Sequence, residues 1–516
     1  MNRVQSSEFS SENSALRRIF AELCRLNSEL FLVGGPVRDR LLARRCHDWD
    51  LACRNAQSTA RQTAKVLHGK FITLDEQHRI FRVILPDHTT LDFAELQGKT
   101  IEQDLSRRDF TINAMAIRLC SGAPVLPCSG LERAAFNRST EAQEHGSTVI
   151  VDPFGGQRDL RRKIIRAVSP RALVDDPLRL LRAFRFAAQF QFAIEARTLR
   201  WIRKHRESLW KVAAERIREE WLRLLMQPAA AATLKSMDQA GLLPVLFPDL
   251  ETCRRVAVRY YGRGGVLKHS LQTVGNLEWI FERMASEPRS AGASRKSMLA
   301  PMLRSSDAPI REYLNKPMGG FPSAAWLKFA GLLHDIGKPA TAQVIKGRLR
   351  FFGHEDVGAR QTQRILRDLR CSRQEIQQVS AWVQNHMRLG NLAAAPKITE
   401  KAIARFFRDL GNGGVGMVLV SLGDHYSYLP RNRWGKGTDP VEKVARQLLD
   451  SYYFRREAVL PVRIVNGHVL MKKLRLKPGP LIGKLLASVQ DAQVEGKVTT
   501  RDEAIAFARR KLKQRA

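Results

Sequence analysis

Between Leu30 and Cys53 the sequence LFLVGGPVRDRLLARRCHDWDLAC changes its periodicity twice. A short apolar run ends in Gly34 and Gly35, a helix opened by Pro36 follows, and HDWDLAC then alternates polar with apolar side chains. Strand, glycine turn, helix and strand in this order belong to a small α/β unit whose helices cover a sheet. RIFRVILP and TTLDFAEL read as two more strands, and the unit is expected to end near residue 165. In front of it, residues 12–28 carry apolar positions at helical spacing behind Ser and Asn, the pattern of a capped amphipathic helix.

Alternate side chains of a strand share a face, so Asp48 and Asp50 point one way while Trp49 and Leu51 point into the core. Two carboxylates held together repel each other, and a hard divalent cation relieves the repulsion. Mg²⁺ shared between carboxylates and substrate phosphates is the usual outcome. Asp92 in TTLDFAEL can add a third carboxylate from a neighbouring strand, whereas Glu95 falls on the opposite face by period. Three such acids can serve an in-line displacement in which a hydroxyl attacks and pyrophosphate leaves. Gly34 and Gly35 let the backbone approach a phosphate, and Arg38, one turn into the helix, can fork onto triphosphate oxygens.

Charge narrows the choice of partner. The chain has 86 Lys+Arg against 51 Asp+Glu, a formal net charge of +35, which points to a polyanion such as nucleic acid. No lipidated or amphipathic anchor, signal-peptide core or spanning apolar run is recognisable, so no membrane partner and a soluble, cytoplasmic protein are expected. The seven cysteines (24, 46, 53, 120, 128, 253, 371) are scattered and contain no C-x-x-C, which argues against a disulfide framework or a cysteine zinc site.

At 516 residues the chain exceeds one core, and roughly 100–200 residues per domain implies about three or four. The expected divisions are an N-terminal helix (1–28), the α/β unit (29–165), a helical neck (166–250), a second helical domain (251–430) and a basic tail (431–516). Residues 286–310, rich in Ser, Ala, Pro and Arg, read as a mobile loop within the second helical domain.

LVGGPVRDRLL followed by HDWDLA resembles the signature of the polymerase-β-like nucleotidyltransferases, in the branch that holds the bacterial-type (class II) CCA-adding tRNA nucleotidyltransferases and poly(A) polymerases. The resemblance continues in order through RRDFTINAMA (107–116), DPFGGQRDL (152–160), DDPLRLLRAFRF (175–186) and AAERIREE (213–220). It implies an α+β fold: a polymerase-β-like head, then a mainly α-helical neck, a further domain and a tail. It also implies a metal role for Asp48 and Asp50, beside which Asp92 remains the candidate third carboxylate, and a role around the ribose and triphosphate for Arg107, Arg108, Asp109 and Asn113, in a nucleotide site to which Gly34, Gly35, Arg38 and Asp152 are also assigned. In the fourth motif a carboxylate and an arginine, three positions apart on one helical face, read the Watson–Crick edge of the incoming base. That assigns base reading to Asp176 and Arg179, with Arg182 and Arg185 recurring at the same spacing. The family has Glu-Asp-x-x-Arg where this chain has Asp175-Asp176-Pro-Leu-Arg179, its first acid one methylene short.

A second chemistry starts at GLLHDIGK. His334 and Asp335, with His269 upstream and His354, His386 and Asp424 downstream, resemble the HD phosphohydrolase domain. Imidazoles and carboxylates suit a divalent transition metal that activates water toward a phosphoester. His269, His334, Asp335 and Asp424 would hold one ion, and His354 and His386 could complete a second.

The expected activity is therefore template-independent addition of CCA, or part of it, to a tRNA 3′ end from CTP and ATP with Mg²⁺. A-only addition, CC-only addition and poly(A) synthesis are rivals within the same chemistry. From another class comes a metal-dependent HD phosphohydrolase whose first domain only binds RNA, against which the intact D-x-D and R-R-D-F-T-x-N-A argue.

Overall fold

The computed structural model describes residues 18–44, 46, 48–119, 149–285 and 307–514, and the chain divides into two compact units, Met1–Val212 and Ala213–Ala516. The division falls inside the expected 166–250 neck. Residues 12–17 of the first expected helix, residues 286–306 of the expected loop, and Cys120 and Cys128 lie outside the described residues.

The first unit is built on a seven-stranded sheet in the order β3-β4-β5-β2-β1-β6-β7. Its strands are β1 (Leu30–Val33), β2 (Asp48–Cys53), β3 (Lys70–Asp75), β4 (Ile80–Ile84), β5 (Thr90–Glu95), β6 (Ala116–Arg118) and β7 (Ile150–Val151). β2 and β5 are parallel while the other neighbouring pairs are antiparallel. A parallel pair requires a crossover, and here the helix Ala56–Val66 followed by the β3–β4 hairpin provides it. Trp49 and Leu51 are buried, and Phe20 of the helix over residues 18–26 meets Trp49 edge-on at 5.1 Å. On the sheet face of Asp48 and Asp50, a core of Phe31, Val33, Ala52, Leu105, Ala114 and Ala116 closes the interior end.

The chain then forms a short turn at Thr111–Asn113 and the helices Gly156–Arg162, Pro170–Asp175 and Leu178–Phe190. The last carries apolar residues at helical spacing, buried at Leu180, Leu181, Phe184 and Phe186 among others. Phe186 packs edge-on against Phe110 of the RRDF segment and stacks on Phe190. The Pro170–Asp175 helix stops where it does because a residue before proline is pushed to extended backbone. Asp176, ahead of Pro177, has φ −136° and ψ 98°.

The second unit is mainly helical. Gly265–Ala285, Ser323–Leu333, His354–Asp368, Arg373–Asn385 and Gly413–His425 form its centre, with Ser323–Leu333 and Gly413–His425 almost wholly buried. Helices apolar all round can only be core, and Trp221, Phe247 and Phe329 cluster against that core. Residues 307–310, expected at the end of the loop, instead open the helix Asp307–Asn315, because Ile310 and Leu314 share a buried face. Beyond, Gly467–Leu474, Pro480–Val494 and Arg501–Lys513 enclose a small core of their own. Asp491 of this group accepts hydrogen bonds from Arg405 and Arg408. Among the described residues no helix is long and apolar enough to cross a membrane.

Candidate functional site

In the first unit the parallel register sets Asp50 directly opposite Asp92, and Asp48 opposite Thr90. Burial pushes the Asp50 carboxyl up to about 6; Arg108 pulls it down, and Asp92 and Asp48 push it up again. Strand period and register thus crowd carboxylates in a half-buried place, and an oxygen-only set of this kind fits a hard divalent cation. The three acids are not drawn together to metal-binding spacing. Asp92 is held by Arg82, whose Nε and Nη2 donate to its two oxygens at 2.7 Å each, and the Thr90 hydroxyl donates to Asp48 Oδ1 at 2.5 Å. Glu95, on the opposite face as its period requires, accepts from the backbone N–H groups of Asn55 and Ala56 at the start of a helix.

The glycine turn lies against these acids. Gly34 has φ +72°, a left-handed conformation that favours glycine, and a Cβ there would come within 2.7 Å of Arg108 Nη1. Gly35 sits next to Asp50 Oδ2. Arg38 is buried and turned inward: its fork donates to Asp39 at 2.9 and 2.8 Å, Nη1 donates to Asn113 Oδ1 at 2.6 Å, and the Phe190 ring lies 4.7 Å away. Within the RRDFTIN segment, Arg107 is exposed, Arg108 pairs with Asp104 at 3.1 Å, and Asn113 donates to Asp109 at 3.0 Å. Asp109 in turn accepts both arms of Arg182, at 2.9 and 2.7 Å. Burial alone would push the Asp109 carboxyl up, but Arg182 and Asn113 outweigh it and hold it at about 2. Asp152 accepts the backbone N–H groups of Gly156 and Gln157, so it caps the Gly156–Arg162 helix.

Asp176 and Arg179 do not share one helical face. Pro177 keeps Asp176 out of the helix, where its carboxylate accepts the Leu178 N–H, while Arg179 in the first turn donates to the Ala172 carbonyl at 3.0 Å. Both are half-buried at the same helix start. Arg182 is committed to Asp109, and Arg185 donates to Gln189 and lies 4.0 Å over the Phe186 ring.

In the second unit all six expected ligands converge. One group is His269, His334 and Asp424; the other is Asp335, His354 and His386. Asp335 lies between them: Oδ2 is 3.3 Å from His269 Nε2 and 3.2 Å from His334 Nε2, while Oδ1 is 3.4 Å from His354 Nε2 and 3.6 Å from His386 Nε2. Backbone carbonyls fix the tautomers. The Nδ1 atoms of His334, His354 and His386 lie 2.7–2.8 Å from the carbonyls of Gly331, Phe351 and Val383, so Nδ1 donates and each Nε2 lone pair faces inward. The Nε2 atoms of His354 and His386 then face each other at 3.3 Å, those of His269 and His334 lie 3.2 Å apart, and Asp424 Oδ1 lies 3.0 Å from His269 Nε2. A bound cation relieves this crowding of donor atoms, and a nitrogen–oxygen set of this kind suits divalent transition metals. Gly337 has no room for a side chain: a Cβ would sit 2.1 Å from the His354 carbonyl oxygen, so the HDIG turn and the His354 helix touch through backbone.

Sequence reading missed Lys338, Tyr261 and Tyr428 at this centre. Lys338 donates to Asp335 Oδ2 at 2.5 Å and to the Tyr261 hydroxyl at 3.0 Å, and Tyr261 and Tyr428 are hydroxyl to hydroxyl at 3.0 Å. The signal for Lys338 is its place one helical turn after Asp335. The tyrosines, 167 residues apart, have none. Arg82 was also missed, although a lone charge inside the apolar strand IFRVI marks it.

The divided architecture matches known models in the same order. Residues 30–166 match the poly A polymerase head domain, 191–253 the "Probable RNA and SrmB- binding site of polymerase A", 266–407 the HD domain and 463–508 the tRNA nucleotidyltransferase domain 2. The CC-adding tRNA nucleotidyltransferase of Thermus thermophilus is 30% identical over 496 residues, 93% of each chain. The A-adding tRNA nucleotidyltransferase of Deinococcus radiodurans is 29% identical over 490 residues, 93% of this chain and 94% of its own. A CCA-adding enzyme solved with CTP has the same fold, with a TM-score of 0.62 at 19% identity over 98% of both chains. Likeness that runs through head, HD domain and tail alike, rather than through the head alone, makes this chain a member of the tRNA nucleotidyltransferase family.

Proposed function

We propose that the protein adds all or part of the CCA end to tRNA, taking CTP, ATP or both, without a nucleic-acid template. The observation that carries the reading is the register that sets Asp50 opposite Asp92 beside the Gly34–Gly35 turn, in a chain of this family. Asp48, Asp50 and Asp92 are the residues to hold Mg²⁺, which supplies charge neutralisation for an attacking 3′ hydroxyl and a departing pyrophosphate. The glycine turn lets the triphosphate approach, and Arg107 and Arg108 supply cations to it. Arg38 and Asn113 brace that turn from behind through their mutual hydrogen bond, and the remaining amide capacity of Asn113 suits a ribose hydroxyl. Asp176 and Arg179 flank the helix start at which a base edge would be read, and Asp109 fixes Arg182 beneath them.

Incubating the full chain with Mg²⁺ and tRNAs ending at the discriminator base, at C or at CC, each with CTP or ATP alone, tests this. Extension of the first two by CTP identifies a CC-adding enzyme, extension of the third by ATP an A-adding one, and all three steps a CCA-adding one. A protein that extends none of them overturns the reading.

The His/Asp cluster supports a second activity on the same chain, metal-dependent hydrolysis of phosphoesters. Its specific observation is the set of inward Nε2 lone pairs pinned by backbone carbonyls around Asp335. A divalent transition metal there would supply Lewis acidity toward a phosphoester, and buried Lys338 and His269 line the cavity that a phosphate would enter.

A further inference from the structure

Beside His269 and Lys338 opens a cavity of about 480 Å³ walled by Tyr260, Tyr261, Arg350, Phe351 and Tyr428. A second cavity of about 1040 Å³ lies alongside, and Gln272 lines both. Besides Arg254, four cations line the second: Lys235, Arg255, Arg263 and Lys268. None of the four is in an ion pair among the described residues, whereas Arg254 in the same wall is neutralised by Asp238 at 2.5 Å and Glu251 at 2.9 Å. Unpaired cations along one groove repel each other unless a polyanion lies there.

The smaller cavity has a different character. Tyr260 and Tyr428 are 65% and 56% exposed, large aromatic faces left to solvent at the rim of a buried polar centre. Unpaired cations in one cavity and exposed aromatic rings at the one sharing Gln272 with it are the two kinds of group that grip a single-stranded nucleic acid, phosphates on the cations and bases on the rings. A free mononucleotide would need the smaller cavity only.

We propose that the HD centre acts on the phosphorylated end of an RNA strand laid in the Lys235–Lys268 groove, rather than on free nucleotides. The proposal rests on the hydrolase reading of that centre. With a 3′-phosphate end, water adds to phosphorus and the bond from phosphorus to the ribose oxygen breaks. The water proton passes to that oxygen, and the products are inorganic phosphate and an RNA 3′ hydroxyl.

The test compares a 3′-phosphorylated pentaribonucleotide with p-nitrophenyl phosphate, using full-length protein loaded with Mn²⁺ and the triple variant Arg255→Glu, Arg263→Glu, Lys268→Glu. The variant should lose at least about tenfold in kcat/KM on the oligonucleotide and less than about twofold on the aryl phosphate, whose retained turnover also reports an intact fold. On metal-free protein, fluorescence anisotropy should show the labelled pentanucleotide binding at least about tenfold more weakly to the variant, with a shallower salt dependence. If the parent cleaves the aryl phosphate and the variant treats the oligonucleotide as the parent does, the groove assignment alone is overturned. If the Mn²⁺-loaded parent cleaves neither compound, the hydrolase reading fails and takes this proposal with it.

Discussion

Asp109 shows how one buried residue can tie together several groups of a proposed nucleotide site. Its carboxylate joins Arg182 of the Leu178–Phe190 helix to Asn113 beside the glycine turn. Because its folded value is about 2, below the ordinary carboxylate value, it contributes stability that is fully present above about pH 4 and is lost as pH falls through about 2. The contribution is about 2 kcal/mol. Asp109→Asn should therefore lower stability at pH 6 by about 2–4 kcal/mol, since it leaves Arg182 without its anion, and should flatten the fall between pH 4 and pH 2. Urea unfolding of both proteins at the three pH values checks this, and an unchanged acid limb refutes it. The role proposed for Asp50 is direct contact with the metal instead. Asp50→Asn should cost on the order of 10³-fold or more in nucleotide addition, about 4 kcal/mol of barrier, while hydrolysis at the HD centre stays within about twofold. Loss of both activities together would mean that the two sites are not separate.

At the scale of elements, the local patterns were readable and their pairings were not. Alternation in HDWDLA, RIFRVILP and TTLDFAEL identifies β2, β4 and β5, and period alone separates Asp92 from Glu95. What period cannot supply is register between strands about forty residues apart, which the crossover through Ala56–Val66 fixes. Arg82 on Asp92 went unseen for a nearer reason, since it depends on the antiparallel register of β4 and β5, which sets the two residues opposite each other. The DDPLR segment misled in another way: three-residue spacing suggests a shared helical face, but Pro177 acts on the residue before it and splits the pair across a helix start. For the HD centre the six ligand types were legible, whereas the bridging place of Asp335 depends on five helices packing together. The tight element contact there is testable. Gly337→Ala puts a methyl 2.1 Å from a backbone oxygen of the His354 helix, so the two elements must part. The variant should lose about 1–3 kcal/mol of stability and weaken the ion held by His354 and His386. Elemental analysis after reconstitution with Mn²⁺ should fall from about two ions per HD centre toward one; two tightly held ions in the variant would contradict the assignment.

For the whole molecule the decisive quantity is the +35 charge. Such a surplus repels itself, a bound polyanion relieves the repulsion, and tRNA supplies one phosphate per nucleotide. The cations are organised on helices in both units: Arg197, Arg200, Arg203 and Lys204 are exposed on Ala196–His205, and Arg509, Arg510, Lys511 and Lys513 on Arg501–Lys513. The second group ends a small domain with a core of Leu470, Leu485, Val489 and Ala508, and its charged ends are exposed outside that core. Six to ten phosphate contacts predict a loss of about 10³–10⁵ in tRNA affinity between 50 and 200 mM salt, because each contact releases about one bound counterion. Replacing Arg509, Arg510 and Lys511 with Gln should make the slope of log affinity against log salt shallower by up to about 3, one for each phosphate lost, with nucleotide addition retained at saturating tRNA. Filter binding across the salt series measures both slopes. A slope unchanged in the triple variant would remove the tail from the RNA-binding surface and leave the grip to the remaining helices, whereas a slope near zero in the parent would contradict the polyanion reading of the whole chain.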